Sequence, residues 1–481
     1  MALTPLIIAV ARASSRRALL LGFLAGTVYF WGTLYWLIET MTTFGGLSTP
    51  LAVFAAAMLV AYLSLFPAAF GWIVSALIRS FGIAALAFAP FAWVTTELGR
   101  QYVWDGFPWA LLGYSQVTFL PIAQSASVVG VYGVSWLLAA SATGIASIAI
   151  AKGRARWVPA LAVVLLVGGI GLWGSARMRA SVLTSQGEIV RTAVIQGNIE
   201  QEDKWNPAMR DIITDRYLMM TREALGAGAT FILWPESSTP FLFERDLIRG
   251  GDIRRLARQS GATLLIGSDQ VEPMPATSAT DKPQELYYNA AFLVKPDGEV
   301  GAVYRKMHLV PFGEYVPLKS LLFFVGPIIE AVSAFSPGTD PVLLPVGAHR
   351  ASTAICYEVI FPSLIREFVL DGSELLTTIT NDAWYGRSSA AYQHWEQAAM
   401  RSIEQGRYLA RAANTGISGF VDPYGRVLQK TDLFEPAVLV QDLRFVTART
   451  IYSRIGDIAA WLSLAITVVT LSAARINRRR S

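Results

Sequence analysis

Long, nearly unbroken apolar stretches fill the first third of the chain, and one more returns close to its end. Residues 18–38, 51–78, 81–94, 126–149, 157–173 and 458–473 read as membrane-spanning helices, because crossing the hydrocarbon layer takes about 20 mostly apolar residues. The third stretch is short and interrupted by Pro90. Residues 1–11 are also apolar but too few to span, and they lack the leading basic region of a signal peptide. Between the fifth and sixth stretches the pattern changes. Short apolar runs at 189–199, 230–234, 263–267, 290–294, 300–304, 350–355 and 375–380 predict strands, and 207–224, 252–259 and 391–413 predict helices. A hairpin is predicted where 418–421 and 426–429 flank Asp422-Pro423-Tyr424-Gly425. Residues 273–283, rich in Pro, Ala, Thr and Ser, read as a surface loop. Strands alternating with helices point to a layered α/β domain.

Composition agrees with a membrane protein. Of 481 residues, 53% are hydrophobic and 16% charged, against about 45–50% and about 25% in soluble domains. A single Cys excludes an internal disulfide. The net charge of +5 could suggest nucleic acid, but only three of the 35 acidic residues, Glu39, Glu97 and Asp105, fall in the first 187 positions. The basic residues cluster between the apolar stretches: Arg12, Arg16 and Arg17; Arg79; Lys152, Arg154 and Arg156; and finally Arg475, Arg478, Arg479 and Arg480. Basic loops favour the cytoplasm. All these groups lie there if five crossings precede the polar domain and one comes after it, which leaves 175–455 outside; Arg177 and Arg179 alone point the other way. The positive charge is therefore an orientation signal, not a nucleic-acid footprint. Residues 1–178 are expected to form a transmembrane helical region, 185–450 an extracytoplasmic catalytic domain, and 456–474 a last transmembrane helix.

Three reactive residues each stand directly after a strand-like run. Glu236 follows Phe231-Ile232-Leu233-Trp234-Pro235, Lys306 follows 301–304 and Arg305, and Cys356 follows 350–355. Sites in α/β folds gather at the carboxyl ends of strands, where loops converge. A thiol is strongly nucleophilic as thiolate, and a nearby ammonium lowers its pKa. A carboxylate can take the thiol proton and later activate a second substrate, while the ammonium stabilises a tetrahedral oxyanion. Taken singly, the Cys is a small buried hydrophobe, the Glu a solvated acid and the Lys a surface charge; their conjunction points to acyl transfer without metal or organic cofactor. The three histidines, His308, His349 and His394, leave a protease-type Cys356–His394 pair conceivable but without a protease signature around Cys356. No metal-ligand spacing or phosphate-binding loop is present.

These motifs resemble the nitrilase (carbon–nitrogen hydrolase) superfamily with its Glu-Lys-Cys set. The membrane context resembles one branch of it, the bacterial apolipoprotein N-acyltransferases. The resemblance runs over nearly the whole chain. It rests on Trp234-Pro235-Glu236-Ser237, on 306–317 from Lys306-Met307-His308 to Tyr315-Val316-Pro317, on Cys356-Tyr357-Glu358 and on Asn381-Asp382-Ala383-Trp384-Tyr385-Gly386. In the membrane part, Gly106-Phe107-Pro108-Trp109 and Gly113-Tyr114-Ser115-Gln116 also look like this branch.

The resemblance implies a membrane α-helical bundle plus an α/β domain, a nitrilase-like αββα sandwich inserted before the last transmembrane helix. Cys356 would take an acyl chain from a phospholipid as a thioester, and the α-amino group of a diacylglyceryl-Cys at an apolipoprotein N-terminus would receive it as an amide. Glu236 would act as general base and Lys306 as oxyanion stabiliser. Glu314, Tyr357 and Glu358 would support the site, and Trp205 and Trp384 would lie on the substrate side. The expected setting is the bacterial cytoplasmic (inner) membrane, with the catalytic domain on the periplasmic side. Members usually carry two further spans ahead of 18–38, of which residues 1–11 match the end of the second. A largely apolar run, 318–335, reads either as a mobile arm that meets the bilayer or as a buried core helix. Two other readings use the same residues: a membrane-tethered amidase that hydrolyses its acyl-enzyme with water, and a non-catalytic lipoprotein-binding scaffold.

Overall fold

The computed structural model describes residues 3–104, 106–274, 285–311, 313–315 and 335–480. The loop expected at 273–283 and the arm expected at 318–335 fall almost wholly outside these residues. The chain forms two compact units: Met1–Thr42, Ser48–Ser181 and Thr450–Ser481 make one, Thr43–Leu47 and Val182–Arg449 the other.

The first unit is helical. Among the described residues, five helices are long and apolar enough to cross a membrane: Ser15–Leu34, Thr49–Phe81, Ala126–Ile150, Trp157–Thr184 and Ile458–Asn477. Small residues let the first two approach closely, as is common where helices pack within lipid. A Cβ on Gly22 would lie 2.1 Å from the carbonyl oxygen of Pro67. The stretch expected to cross at 81–94 is not one long helix. Gly82, at φ +74°, ends the preceding helix, a 3-10 turn occupies Ile83–Phe88, and Pro90 opens the helix Ala89–Tyr102 of 14 residues. At about 1.5 Å per residue that helix covers roughly 21 Å, less than the ~30 Å hydrocarbon layer.

Non-helical backbone comes next in the chain, and backbone polar groups without partners are costly in an apolar setting. Side chains from the surrounding helices supply partners. Tyr62 Oη donates to the Val103 carbonyl at 3.1 Å, Arg100 to that of Trp109 at 3.2 Å and Tyr29 Oη to that of Ala110 at 2.9 Å. Glu97 accepts from the Leu112 N–H at 2.7 Å and Ser135 Oγ from that of Gly113 at 2.9 Å.

The second unit contains two six-stranded sheets. The first is built from β1 (Ile189–Gln196), β2 (Phe231–Leu233), β3 (Thr263–Pro273), β4 (Glu285–Val294), β5 (Val300–Arg305) and β12 (Ala437–Arg444), in the order β12-β1-β2-β3-β4-β5. The second is built from β6 (Leu344–Val346), β7 (His349–Ile355), β8 (Leu375–Thr380), β9 (Leu409–Ala413), β10 (Gly419–Val421) and β11 (Val427–Lys430), in the order β11-β10-β9-β8-β7-β6. Strands β1, β2 and β3 run parallel, as do β7, β8 and β9; the flanking pairs are antiparallel. The sheets face each other, β1 against β9 and β4 against β7. Helices Arg210–Gly226 and Arg249–Ser260 cover the first sheet through Tyr217, Leu218, Ile253 and Leu256, which pack on Ile195, Ile232, Leu264 and Phe292. Helices Pro362–Leu370 and Ser389–Gln405 belong to the second. This is the expected αββα sandwich.

One expected element differs. The helix read at 391–413 stops at Gln405, where Gly406 takes a left-handed conformation at φ +63°, and 409–413 form the buried parallel strand β9. A parallel strand buried on both faces lacks the alternation that marks half-exposed strands, so its apolar run merges with the helix before it. Strands β6 and β12 have no counterpart among the elements that the pattern predicts.

A histidine ties the two sheets together at the edge where β1 and β7 begin. His349 Nδ1 lies 2.6 Å from Glu374 Oε2 and Nε2 lies 3.0 Å from Glu188 Oε2, with the ring stacked 4.2 Å from that of Phe445. The bond to Glu188, then that to Glu374, against some desolvation, hold the imidazole pKa above its ordinary value. A raised folded pKa gives stabilisation that is complete below the unfolded value of about 6.5 and is lost as pH rises through the folded one. The melting temperature of the wild type should therefore exceed that of His349→Asn by more at about pH 5.5 than at about pH 9, read by thermal unfolding in detergent. An equal gap at both would show that the ion pairs contribute nothing.

Candidate active site

Each candidate residue is delivered by a strand end and fixed by its neighbours. After β2, Trp234 stacks on Tyr217 with centroids 4.9 Å apart, and its indole N–H donates to Thr221 Oγ1 at 2.9 Å. Pro235 has no N–H to continue the ladder, and the chain turns with Ser237 at φ +42°. The turn leans on β3 where only glycine fits, since a Cβ on Gly267 would lie 2.2 Å from the Pro235 carbonyl oxygen. This leaves Glu236 buried above the strand ends.

Its carboxylate is held from several sides. Asn289 Nδ2 donates to Oε1 at 2.7 Å, Lys306 Nζ to the same oxygen at 3.3 Å, and the Asn381 N–H to Oε2 at 2.7 Å. Lys204 Nζ donates to the Glu236 main-chain carbonyl at 3.1 Å. Lys306, directly after β5, also donates to Glu314 Oε1 at 2.8 Å, and Asn289 bridges to that oxygen at 3.0 Å. The other Glu314 oxygen accepts from the Val310 N–H at 2.8 Å.

Cys356 follows β7 and opens a 3-10 turn, Cys356–Ile360, with its own φ at +52°. A left-handed backbone is unfavourable for a residue with a Cβ by roughly 1–2 kcal/mol, so the surroundings must impose it. Glu358 contributes. Its Oε2 accepts from the Ile355 N–H at 2.7 Å, and its Oε1 accepts from Met307 N–H at 2.6 Å, His308 N–H at 3.1 Å and Tyr304 Oη at 2.8 Å. One fully buried carboxyl thus ties the end that carries Cys356 to the end that carries Lys306. Burial raises the Glu358 pKa to about 7 against these donors.

The electrostatics separate the groups. Burial pushes the Glu236 pKa up, but Lys306, Asn289, Lys204 and the Asn381 N–H outweigh it, and the group stays below the usual carboxylate value. Burial works against the Lys306 ammonium too, yet Glu314 and Glu236 hold its pKa above the ordinary value. For Cys356 the balance goes the other way. Burial first, then the Glu236 charge, raise the thiol pKa, and the opposing pull of Lys306 does not compensate. The ammonium lowers the thiol pKa, as expected, but burial and the carboxylate outweigh it, so the thiol proton is left for a base to take.

Among the supporting residues expected from the sequence, Glu314 and Glu358 are in this network. Tyr357 is buried, edge-on to Phe361 at 5.3 Å. Trp384 lies after β8, exposed and edge-on to Phe44 of the same unit at 5.2 Å. Trp205 stays exposed, next to buried Lys204. His394 meets the main chain of Cys356, its Nε2 lying 3.0 Å from the Cys356 carbonyl oxygen. Lys204 and Asn289 join the site without having been singled out by sequence pattern, and Asn381 joins it from the motif that runs from Asn381 to Gly386. Asn289 carries one trace, as a lone amide directly before the apolar run 290–294 of β4. Burial lowers the Lys204 pKa to about 8 and raises that of Asp269, which accepts from Ser237 Oγ, to about 6.

Comparison with known proteins adds independent findings. Residues 191–452 match the family model described as Carbon-nitrogen hydrolase, and residues 1–144 match that described as Apolipoprotein N-acyltransferase N-terminal domain. A relative from Geobacter metallireducens, named apolipoprotein N-acyltransferase, is 39% identical over 100% of this chain and 91% of its own length. One of the same name from Methylococcus capsulatus is 35% identical over 98% of this chain and 90% of its own. Among solved structures, an amidase from Nesterenkonia sp. AN1 is 25% identical, covering 56% of this chain and 94% of its own at a TM-score of 0.41.

The Glu358 tie makes a test possible. Glu358→Gln turns one acceptor oxygen into a donor, so at least one buried N–H among Ile355, Met307 and His308 loses its partner, at roughly 1–3 kcal/mol. The melting temperature should fall, and Cys356 alkylation by iodoacetamide should change rate because both strand ends shift. Unchanged stability and unchanged alkylation would show that the carboxyl does not hold the two ends together.

Proposed function

Since the chain belongs to the apolipoprotein N-acyltransferases, within the carbon–nitrogen hydrolases, and is an acyltransferase of lipoproteins, we propose that Glu236, Lys306 and Cys356 carry the transfer through a thioester on Cys356. The observation behind this reading is the convergence of three strand ends. An ionised carboxylate, a charged ammonium and a neutral thiol on a left-handed turn meet in one buried site.

The acyl donor in this reading is a membrane phospholipid. Cys356 Sγ attacks the carbonyl carbon of an acyl ester while Glu236 takes the thiol proton. Because the thiol rests protonated, the proton leaves as the S–C bond forms and not before it. The carbonyl oxygen becomes an oxyanion, and Lys306 lies where its charge is compensated. Collapse breaks the C–O bond, and the proton on Glu236 passes to the departing lysophospholipid oxygen. In the second half the neutral α-amino group of the diacylglyceryl-Cys attacks the thioester carbonyl. Glu236 takes a proton from the nitrogen, and as collapse breaks the C–S bond that proton passes to the departing sulfur, restoring both the thiol and the carboxylate. Glu314 keeps Lys306 charged and in place. Trp205 and Trp384, the less buried of the expected residues, contact the substrates. No step calls for a metal or organic cofactor.

The setting proposed is the bacterial inner membrane, with residues 185–450 on the periplasmic side as the catalytic domain, 1–178 as the transmembrane region and 456–474 as the last crossing. The basic residues support this, provided that 83–102 count as a crossing. The rises of the 3-10 turn and of the helix after it sum to about 33 Å, at about 2.0 and 1.5 Å per residue.

Incubating the purified enzyme with phospholipid should add one acyl group to the intact protein, visible by mass spectrometry and absent from Cys356→Ala and Glu236→Gln. A diacylated lipopeptide added next should discharge it and become triacylated. Wild type without an adduct sinks the thioester, and discharge only to free fatty acid favours the hydrolase. The orientation is tested in the Cys356→Ala background. A thiol at exposed Met274 should react with an impermeant maleimide in spheroplasts, while one at Arg154 should react only after lysis; the reverse pattern refutes the assignment.

A further inference from the structure

Beneath Cys356 lies a buried polar network that the proposed transfer leaves unused. His394, on the helix Ser389–Gln405, is fully buried, as are the side chains of Asp382 and Arg411. Arg411 NH2 donates to Asp382 Oδ2 at 2.8 Å and lies 3.0 Å from His394 Nδ1. Asp382 Oδ1 accepts from Thr380 Oγ1 at 2.8 Å and lies 3.0 Å from the same Nδ1. On the far side of the ring, Nε2 lies 3.0 Å from the Cys356 carbonyl oxygen. The Tyr385 ring meets the imidazole edge-on at 6.1 Å.

These contacts select one protonation state. Burial, then the Arg411 charge, push the His394 pKa down, so the ring is neutral and carries a single N–H. A carbonyl oxygen can only accept, so the proton at that contact belongs to Nε2. Nδ1 then accepts the second hydrogen of Arg411 NH2, the first being spent on Asp382, while Asp382 Oδ1, 3.0 Å from the same nitrogen, works against this form. The other tautomer would set a bare Nε2 lone pair against the Cys356 carbonyl. The Cys356 carbonyl and Arg411 therefore favour the Nε2–H form, which makes the imidazole a donor to the main chain of the nucleophile.

We propose that His394 is a positioning residue for the acyl transfer: through Nε2–H it grips the carbonyl of Cys356 and holds this residue in the left-handed turn that presents its thiol to Glu236 and Lys306. The assignment rests on reading Cys356 as the nucleophile. It excludes a protease-type base, because Nε2 is committed to the carbonyl and Nδ1 faces Arg411 and Asp382. It also gives the strained φ of +52° at a non-glycine residue a physical cause, since a conformation unfavourable by itself persists only where its surroundings impose it.

The two amide substitutions separate this role from others. In His394→Gln the amide nitrogen lies near the place of Nε2; in His394→Asn it lies near that of Nδ1. Rates of acyl-enzyme formation with phospholipid are compared per folded molecule, with the fraction folded taken from thermal unfolding. His394→Gln should stay within about fivefold of wild type, whereas His394→Asn should fall about 100-fold in rate with little change in KM, the effect of a displaced reacting group. Equal rates for the two variants, whether both high or both abolished, overturn the assignment. Wild type that takes up no acyl group overturns instead the reading of Cys356 on which it rests. A measurement on the unaltered protein complements this: with three histidines in the chain, 15N labelling should show one buried imidazole as the Nε2–H tautomer at neutral pH. An imidazolium or an Nδ1–H form at His394 overturns it whether or not the variants fold.

Discussion

Lys306 holds its ammonium between Glu236 and Glu314, at 3.3 and 2.8 Å, with almost none of its surface exposed. One cation facing two carboxylates in a dry site would leave a net negative charge, and an uncompensated buried charge is among the most destabilising features a fold can carry. Lys204 supplies the second cation at the Glu236 main chain, and Asn289, the Asn381 N–H and the Val310 N–H satisfy the remaining carboxylate oxygens. These donors come from strands of both sheets and from the connections that follow them. The cluster therefore holds only while the sandwich is assembled, and the assembled sandwich needs the cluster complete. Fold and site are stabilised by the same contacts.

This dependence decides which parts of the site are legible in the sequence. Glu236, Lys306 and Cys356 are legible because each directly succeeds an apolar run, where the strand ends and the side chain must leave the sheet. Glu358 is legible from its adjacency to Cys356. Lys204, Asn289 and Arg411 are not. Lys204 lies in a connection, Asn289 within a strand and Arg411 in an apolar run that reads as the continuation of a helix. Their roles arise from the facing of the two sheets, which no local pattern encodes. The His394 contact is legible only in part: the sequence offers a histidine and a thiol as possible partners, but not that the ring meets the carbonyl of Cys356.

The helical unit shows the same limit from another side. Hydropathy locates its long helices well, since length and apolarity are what a bilayer selects. The 81–94 stretch reads as one helix because Gly82 and Pro90 break the backbone without interrupting the apolar run. The irregular backbone beyond Tyr102 is served by Tyr29, Tyr62, Glu97, Arg100 and Ser135. Glu97 and Arg100 are rare charged residues among apolar ones, and their placement becomes intelligible only when the carbonyl and N–H groups that they satisfy are seen.

Burial at the site acts in two opposed ways, and the balance bears on what the enzyme makes. In the proposed thioester transfer, desolvation raises the pKa of the Cys356 thiol, which disfavours the nucleophile before substrate arrives. A more open site would relax that penalty, but bulk water would then reach the thioester and the acyl chain would be lost to hydrolysis. A buried site with a charged carboxylate and ammonium resolves the conflict. The proton can move to Glu236 during attack, when the developing oxyanion also strengthens the interaction with Lys306, so charge separation occurs where it is compensated. The fixed turn at Cys356 then matters more than a low thiol pKa, because a neutral thiol reacts only when its hydrogen, its sulfur and the incoming carbonyl are aligned together. On the proposed mechanism, transfer to an amine in preference to water thus depends on the dryness of the site and the rigidity of its backbone as much as on the identity of the three side chains assigned to react.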